Sequence, residues 1–367
     1  MFALEINLVR PQFLALSDMF SEVLKMRLTT SFLLSLLLIT LCTIASPEFA
    51  DAQRLRRARS SPRAVLWRNP GDIKARNLLY GPGSPQQAPV EPFTFIKESK
   101  KGESPKFDVK DARGVVWTVK LGEEAQAETV ATRLVWAVGY FAEEAYYFDE
   151  ARIENLPKLS RGRDFVLNDG IVVGARFEPE RKHMTEGPAW DWDENAFDGT
   201  RQLSGLKVLM ILLNNYDARK ENNKIFYSRP GEVGRYEAQH YVSDLGATLG
   251  RSGGLGGKRT KNDLESFLST RFVTGIEDQT VEFDYDTRPT KLGHLSVLYP
   301  PYYRSQVKKE KTMRGIPIRH ARWIGSLLGQ LTDDQLRDAF RAAHYNDATM
   351  EGYVEALRER INQLQQL

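Results

Sequence analysis

The sequence predicts an α+β protein of two lobes, a small strand-rich one followed by a larger, mostly helical one. Three observations predict it. Between residues 93 and 178, short extended stretches separated by turn clusters are interrupted by a single long helical pattern. Residues 203–213 (L-S-G-L-K-V-L-M-I-L-L) are almost continuously apolar, as a helix buried on most sides is. After a strand pair, the rest of the chain is dominated by helical periodicity.

A chain of 367 residues can bury a substantial core, and 41% hydrophobic with 27% charged residues is the composition of a globular protein. The formal net charge of +3 is too small to imply a nucleic-acid partner. The five histidines are scattered without a close pair, so no zinc site is expected.

The only cysteine, Cys42, lies in an apolar run over residues 32–45. That run suits a signal-peptide core and is short for a span, which needs about 20 apolar residues. Lys25 and Arg27 precede it, Ala50-Asp51-Ala52 is a small-x-small cleavage site, and Met26 is an alternative start. Residues 1–52 therefore read as a signal for export to a periplasmic or secreted location. The competing topology is an uncleaved membrane anchor, favoured by Arg54, Arg56, Arg57 and Arg59 just beyond the run. Through the same segment the protein would associate with a membrane.

Residues 53–92, rich in Arg, Ser, Pro and Gly, read as a linker with a short helix near 72–78. Strands follow at 94–97, 106–110 and 115–120, then a helix over 123–141 with Glu128, Ala131, Val135 and Val138 on one face. Two more strands are expected at 151–159 and 170–177, completing a small lobe over 93–178. The larger lobe, 179–367, opens with an irregular acidic connection to residue 200. Strands at 224–227 and 236–242 form a hairpin, followed by a Gly-rich segment near 250–258. Thr332 and Gln335 have capping-box spacing, and a final amphipathic helix covers 349–364.

The polar residues of most interest lie in N-N-Y-D-A-R-K-E-N-N (214–223) and S-D-L-G (243–246). Magnesium-dependent phosphoryl transfer needs a carboxylate near the attacking hydroxyl, and a neutral oxygen and a second carboxylate to hold metal against phosphates. Asp217, followed by Asn222 at the end of an apolar helix, and Asp244 at the end of a strand supply that set. Asp217 is the candidate base or hydroxyl-orienting group, and Asn222 and Asp244 are the candidate metal ligands. Arg219 is placed to neutralise a transferring phosphoryl, with Lys220 as the alternative for that role and Asn223 as the alternative to Asn222. Gly246 would let the backbone turn sharply after Asp244.

Lys120 ends the V-V-W-T-V-K strand, where a lysine suits phosphate contact; buried alone it would be costly, and Glu128 is its natural partner. Gly102, Ser104 and Lys106 lie between the first two strands, where a phosphate-covering loop belongs, although the segment is not a G-x-G-x-x-G loop. Trp190-Asp191-Trp192-Asp193-Glu194 admits a different reading, a sugar-binding groove with paired carboxylates.

With these residues assembled, the chain resembles the atypical branch of the protein-kinase-like superfamily: HipA-like, phosphatidylinositol and secretory-pathway kinases. Residues 104–120 look like the HipA-type phosphate loop and lysine strand, 127–139 like its glutamate helix, and 215–222 like its catalytic loop. The resemblance covers roughly residues 93–250. It implies a bilobal fold, ATP and magnesium, with Lys120 on phosphate, Glu128 on Lys120, Asp217 at the hydroxyl, and Asn222 and Asp244 on metal. Tyr216 stands where the family has His or Arg before the catalytic Asp. The expected activity is transfer of the γ-phosphoryl group to a hydroxyl on protein, sugar or lipid. The alternatives are an exported kinase-like pseudoenzyme that binds a ligand or partner without catalysis, and a carbohydrate-binding envelope protein.

Overall fold

Side chains two apart on a strand share a face, and this alternation divides the residues of the strands over 93–179 between a core and a cleft. The structure is a computed structural model. It describes residues 62–367 apart from 101, 103, 182, 229–235, 254–258 and 288–299, and of 300–303 the backbone alone. The signal or anchor read in residues 1–52 lies outside the described residues, as does the start of the expected linker. Among the described residues no helix is long and apolar enough to cross a membrane.

After a short first strand, β1 (Arg63–Val65), come β2 (Phe93–Ser99), β3 (Lys106–Lys110) and β4 (Val116–Leu121). Helix α1 (Glu124–Ala137) separates them from β5 (Tyr146–Glu154) and β6 (Ile171–Pro179). These five strands close a barrel in the order β2-β3-β4-β6-β5, with β5 parallel to β2. Trp117, Val119 and Leu121 of β4 point inward and join Phe93, Phe107, Val109, Val172 and Phe177 in one apolar cluster. The intervening Thr118 and Lys120 therefore face outward. Lys120 pairs in register with Lys106 on one side and Arg176 on the other, so three cations lie in a single row.

The second region contains β7 (Met184–Glu186), α2 (Arg201–Leu212), β8 (Asn223–Ser228) and β9 (Glu237–Val242). Next come α3 (Leu264–Leu268), β10 (Val273–Glu277), β11 (Thr280–Phe283) and α4 (Pro300–Thr312). The chain finishes with β12 (Ile316–Pro317), α5 (Ile318–Leu328), α6 (Asp333–Arg341) and α7 (Asp347–Gln366). Thr332 and Gln335 form the expected capping box at the start of α6. A three-stranded sheet, β10-β11-β12, was not anticipated in a region read as mostly helical. The reason is length: strands of this size carry too few alternations to stand out from turns.

Two other expectations are corrected. From residue 62 the expected linker is packed structure. Leu66, Ile73 and Leu78 are buried in the larger core, and β1 pairs in parallel with β9. The Gln335 side-chain amide donates to the carbonyls of Ile73 and Arg76, each at 2.8 Å. Arg133, buried in α1, donates to the carbonyls of Thr129, Ala145 and Leu79 at 3.0, 3.0 and 3.3 Å. Burial and the Arg176 charge lower its pKa to about 9. The apolar residues of this strap are isolated among Arg, Pro and Gly, so no periodicity announces their burial. Trp190 and Trp192 are each 3% exposed and pack at 4.9 Å within the larger core, which removes the exposed aromatic platform that the sugar-groove reading required.

Helix α1 belongs to that larger core through Ala127, Val130, Ala131, Leu134 and Val135. Its small Ala and Thr residues allow close approach on nearly every side. The helix carrying Glu128 is thereby fixed between the barrel and α6.

Candidate active site

Lys120 reaches its position because the alternation of β4 aims it at α1 rather than into the barrel. Its Nζ lies 2.9 Å from Glu128 Oε2, 2.9 Å from Glu124 Oε2 and 2.7 Å from Asp244 Oδ1. Burial alone would lower the lysine pKa. The carboxylates of Glu128, Asp244 and Glu124 more than offset that and hold it well above the ordinary lysine value. Glu124 shows the reciprocal effect: despite burial, Lys120 and Lys261 hold it at about 2.

Behind this group stands Arg176, fully inside the protein, with Nη1 3.6 Å from Glu128 Oε1 and 3.4 Å from Glu178 Oε2. Its Nη2 is 3.3 Å from Glu143 Oε2. Burial would raise the Glu143 pKa, but Lys224, Arg181 and Arg176 hold it below the usual carboxylate range. Burial and the Glu143 charge push Glu178 above that range.

The opposite wall starts where α2 ends. Asn215 Oδ1 accepts from the Asp217 amide at 2.9 Å and shapes the loop that presents the carboxylate. Arg219 Nη2 lies 2.6 Å from Asp217 Oδ2, and Asn222 Nδ2 donates to Asp217 O and Oδ2 at 2.8 and 3.0 Å. Lys309 Nζ, from α4, is 3.4 Å from Asp217 Oδ1. The backbone of Ser243 donates to the Asn222 carbonyl at 2.8 Å, which sets Asp244 beside the Asp217 loop. Asp244 itself takes the left-handed conformation at φ 54°. This corrects the expected role of Gly246, which is absent from the positive-φ glycines of the chain. Its lack of a side chain is required by space: a Cβ there would stand 2.5 Å from the Cβ of Glu124.

The loop between β2 and β3 completes the enclosure. Gly102 has φ 73° and its carbonyl accepts from Arg161 at 2.6 Å. Ser104 Oγ donates to Glu124 Oε2 at 2.9 Å, tying this loop to the first turn of α1. A single cleft of about 1410 Å³ is lined by Lys120, Glu128, Asp217, Arg219, Asn222 and Asp244. Gly102, Ser104 and Lys106 line the same space, whereas Lys220, Asn223 and Gly246 are not among its lining residues, and Asn223 donates instead to the Trp190 carbonyl at 3.0 Å. Apolar walls are supplied by Ile96, Val116, Met184 and Phe226.

Two solved kinase structures are similar to this chain. One is the Helicobacter pylori proinflammatory kinase CtkA, at 12% identity and TM-score 0.42, covering 76% of this chain and 98% of that one. The other is the Golgi casein kinase, at 10% identity and TM-score 0.35, covering 88% of this chain and 87% of that one. No protein-family model and no curated protein matches the sequence. Both structural likenesses are loose, and the reading of the cleft stands on its own side chains.

The donor set fits magnesium in company with phosphate. Asn222 spends its amide nitrogen on Asp217, so it is its carbonyl oxygen that could meet a metal ion. The Asp244 side chain is half exposed, with Oδ1 on Lys120. Among the described residues no cluster of three or more His, Cys, Asp or Glu forms a self-sufficient metal cage. One carboxylate and one amide oxygen are what a magnesium ion completed by phosphates and water uses.

Sequence reasoning missed Glu124, Arg176 and Lys309. Glu124 had a usable signal, since it lies four residues before Glu128 and thus on the same helical face. Arg176 and Lys309 had none, because each acts on a residue remote in sequence.

Proposed function

We propose that the protein is a bilobal, kinase-like phosphotransferase that moves the γ-phosphoryl group of ATP, with magnesium, to a hydroxyl on a protein, sugar or lipid. The observation that carries this reading is the convergence of the Lys120–Glu128 ion pair with Asp217, Asn222 and Asp244 on one cleft. The barrel and the helical region form the two lobes, and the cleft lies where their residues meet. Lys120 takes the phosphates, with Glu128 setting its direction and Arg176 holding Glu128 from behind. The Asn222 carbonyl and the Asp244 carboxylate would hold magnesium, whose charge opposes that of the phosphate oxygens. Asp217 orients the acceptor hydroxyl and accepts its proton as the phosphoryl group leaves. Arg219, paired with Asp217, stands close enough to balance charge on the transferring group. Gly102, Ser104 and Lys106 cover the phosphates from above.

The test is ADP release and label transfer from γ-labelled ATP in the presence of magnesium, for the wild type, Asp217→Ala and Asp244→Ala. Activity in the wild type that collapses in both variants is the expected result. Turnover that survives unchanged in both variants would remove this mechanism.

A further inference from the structure

Lys309 is brought to the candidate site by a helix 92 residues beyond Asp217. Helix α4 is anchored by its buried face. Glu310 Oε1 accepts from the Thr287 amide at 3.1 Å, Gln306 Oε1 accepts from Arg259 at 2.5 Å, and Thr312 Oγ1 donates to Asp193 at 2.8 Å. Lys308 and Lys311 point to solvent, as charged residues of a surface helix do, whereas the Lys309 side chain is only 12% exposed. Burying an ammonium is costly and needs a reason in the pairing it achieves. Among the described residues its one ion pair is with Asp217 Oδ1, while Arg219 and Arg259 nearby oppose its charge.

The placement divides the two oxygens of Asp217. Oδ2 takes Arg219 and Asn222, both from the same loop, and Oδ1 takes Lys309 from outside it. A carboxylate held on both oxygens from two directions cannot rotate about its terminal torsion without breaking a pair. Orientation of this kind is what a group that aligns an attacking hydroxyl needs, since small misplacements there are expensive in rate.

We propose that Lys309 is a positioning residue for phosphoryl transfer, fixing the Asp217 carboxylate in the orientation that receives the acceptor hydroxyl. This rests on the phosphotransferase reading above. Lys309 is not among the residues that line the cleft, so it acts through Asp217.

The experiment is steady-state kinetics of Lys309→Met and Lys309→Arg in the full chain, with Lys309→Gln in place of Met if that variant does not fold. Removing the charge should lower kcat at least about tenfold and leave KM for Mg-ATP within about twofold, with Arg restoring most of the loss. A parental kcat in Lys309→Met, a change confined to KM, or equal loss in the Arg and Met variants would overturn the proposal. If the wild type itself turns over no nucleotide, the phosphotransferase reading fails, and thermal unfolding of Lys309→Met, Asp217→Asn and the double variant decides the pairing. Non-additive losses in Tm support the contact as the reason for Lys309, and additive losses overturn it.

Discussion

Arg176 and Lys120 hold opposite oxygens of one carboxylate: Glu128 Oε1 lies 3.6 Å from Arg176, and Oε2 lies 2.9 Å from Lys120. The two cations are register partners on β6 and β4, so the strand pairing itself sets their spacing across the glutamate. Glu128 therefore has little freedom to turn, and Lys120 inherits its direction from the barrel.

Replacing Glu128 by Gln leaves two buried cations short of one negative charge. Removing one member of a buried pair costs about 3–5 kcal/mol, and the remaining carboxylates on Lys120 and Arg176 should keep the loss towards the lower figure. Urea unfolding of Glu128→Gln should show this as a lower midpoint with an unchanged slope. Phosphoryl transfer should fall at the same time, even at temperatures where the variant is folded.

Glu124 gives a pH signature. Its folded pKa is about 2, against an ordinary 4.5, because Lys120 and Lys261 outweigh the burial that would raise it. A depressed carboxylate contributes stability that is present above the unfolded value and lost as the pH falls through the folded value. The wild type should therefore lose stability between pH 4.5 and 2 more steeply than Glu124→Gln does. Parallel curves for the two proteins across that window would contradict the assignment.

If the protein is the phosphotransferase proposed above, magnesium dependence should hinge on Asp244. Nucleotide at a hundredfold excess over its Kd stabilises a folded protein by about 2.7 kcal/mol. In thermal-shift titrations, the part of the ATP shift that requires magnesium should disappear in Asp244→Ala and shrink in Asn222→Ala. A magnesium-dependent shift of parental size in Asp244→Ala would show that the metal is held elsewhere.

Gly246→Ala tests the contact between the Asp244 turn and α1. A Cβ placed 2.5 Å from that of Glu124 forces backbone to move, at a cost of about 1–3 kcal/mol. A lower Tm and reduced activity are expected together, because Glu124 also carries Lys120 and Ser104. Parental values of both would mean that the turn accommodates the methyl group.

The strap over residues 62–92 can be tested away from the cleft. Gln335→Ala removes the amide that meets the carbonyls of Ile73 and Arg76 at 2.8 Å; Ile73 keeps the Arg76 amide as donor at 3.1 Å, so the loss of the two bonds should cost about 1–3 kcal/mol. Limited proteolysis should then cut between residues 66 and 80 sooner than in the wild type.

Much of the cleft was legible because its parts are local patterns. Asp217 and Asn222 stand five apart on a loop that a buried helix must end in, and Asp244 follows a hairpin whose alternation can be read directly. The alternation of β4 likewise places Lys120 opposite the inward Trp117 and Val119. Helix α1 was expected over 123–141 and forms at Glu124–Ala137, while the strand expected at 151–159 forms earlier, at Tyr146–Glu154. Boundaries shift in this way because the tyrosines at 146 and 147 suit a strand as well as they suit a turn flank.

Residue types and their spacing determined which side chains are polar, which face of each element they occupy, and that Lys120 needs a carboxylate. The tertiary structure alone decided that Glu124, Arg176 and Lys309 join them, that Trp190 and Trp192 turn inward, and that residues 62–92 pack against the core. The physical reason is range. Periodicity reports the direction of a side chain relative to its own backbone, whereas the partner it meets there depends on how separate elements pack, and contacts such as Lys309 with Asp217 span 92 residues of chain.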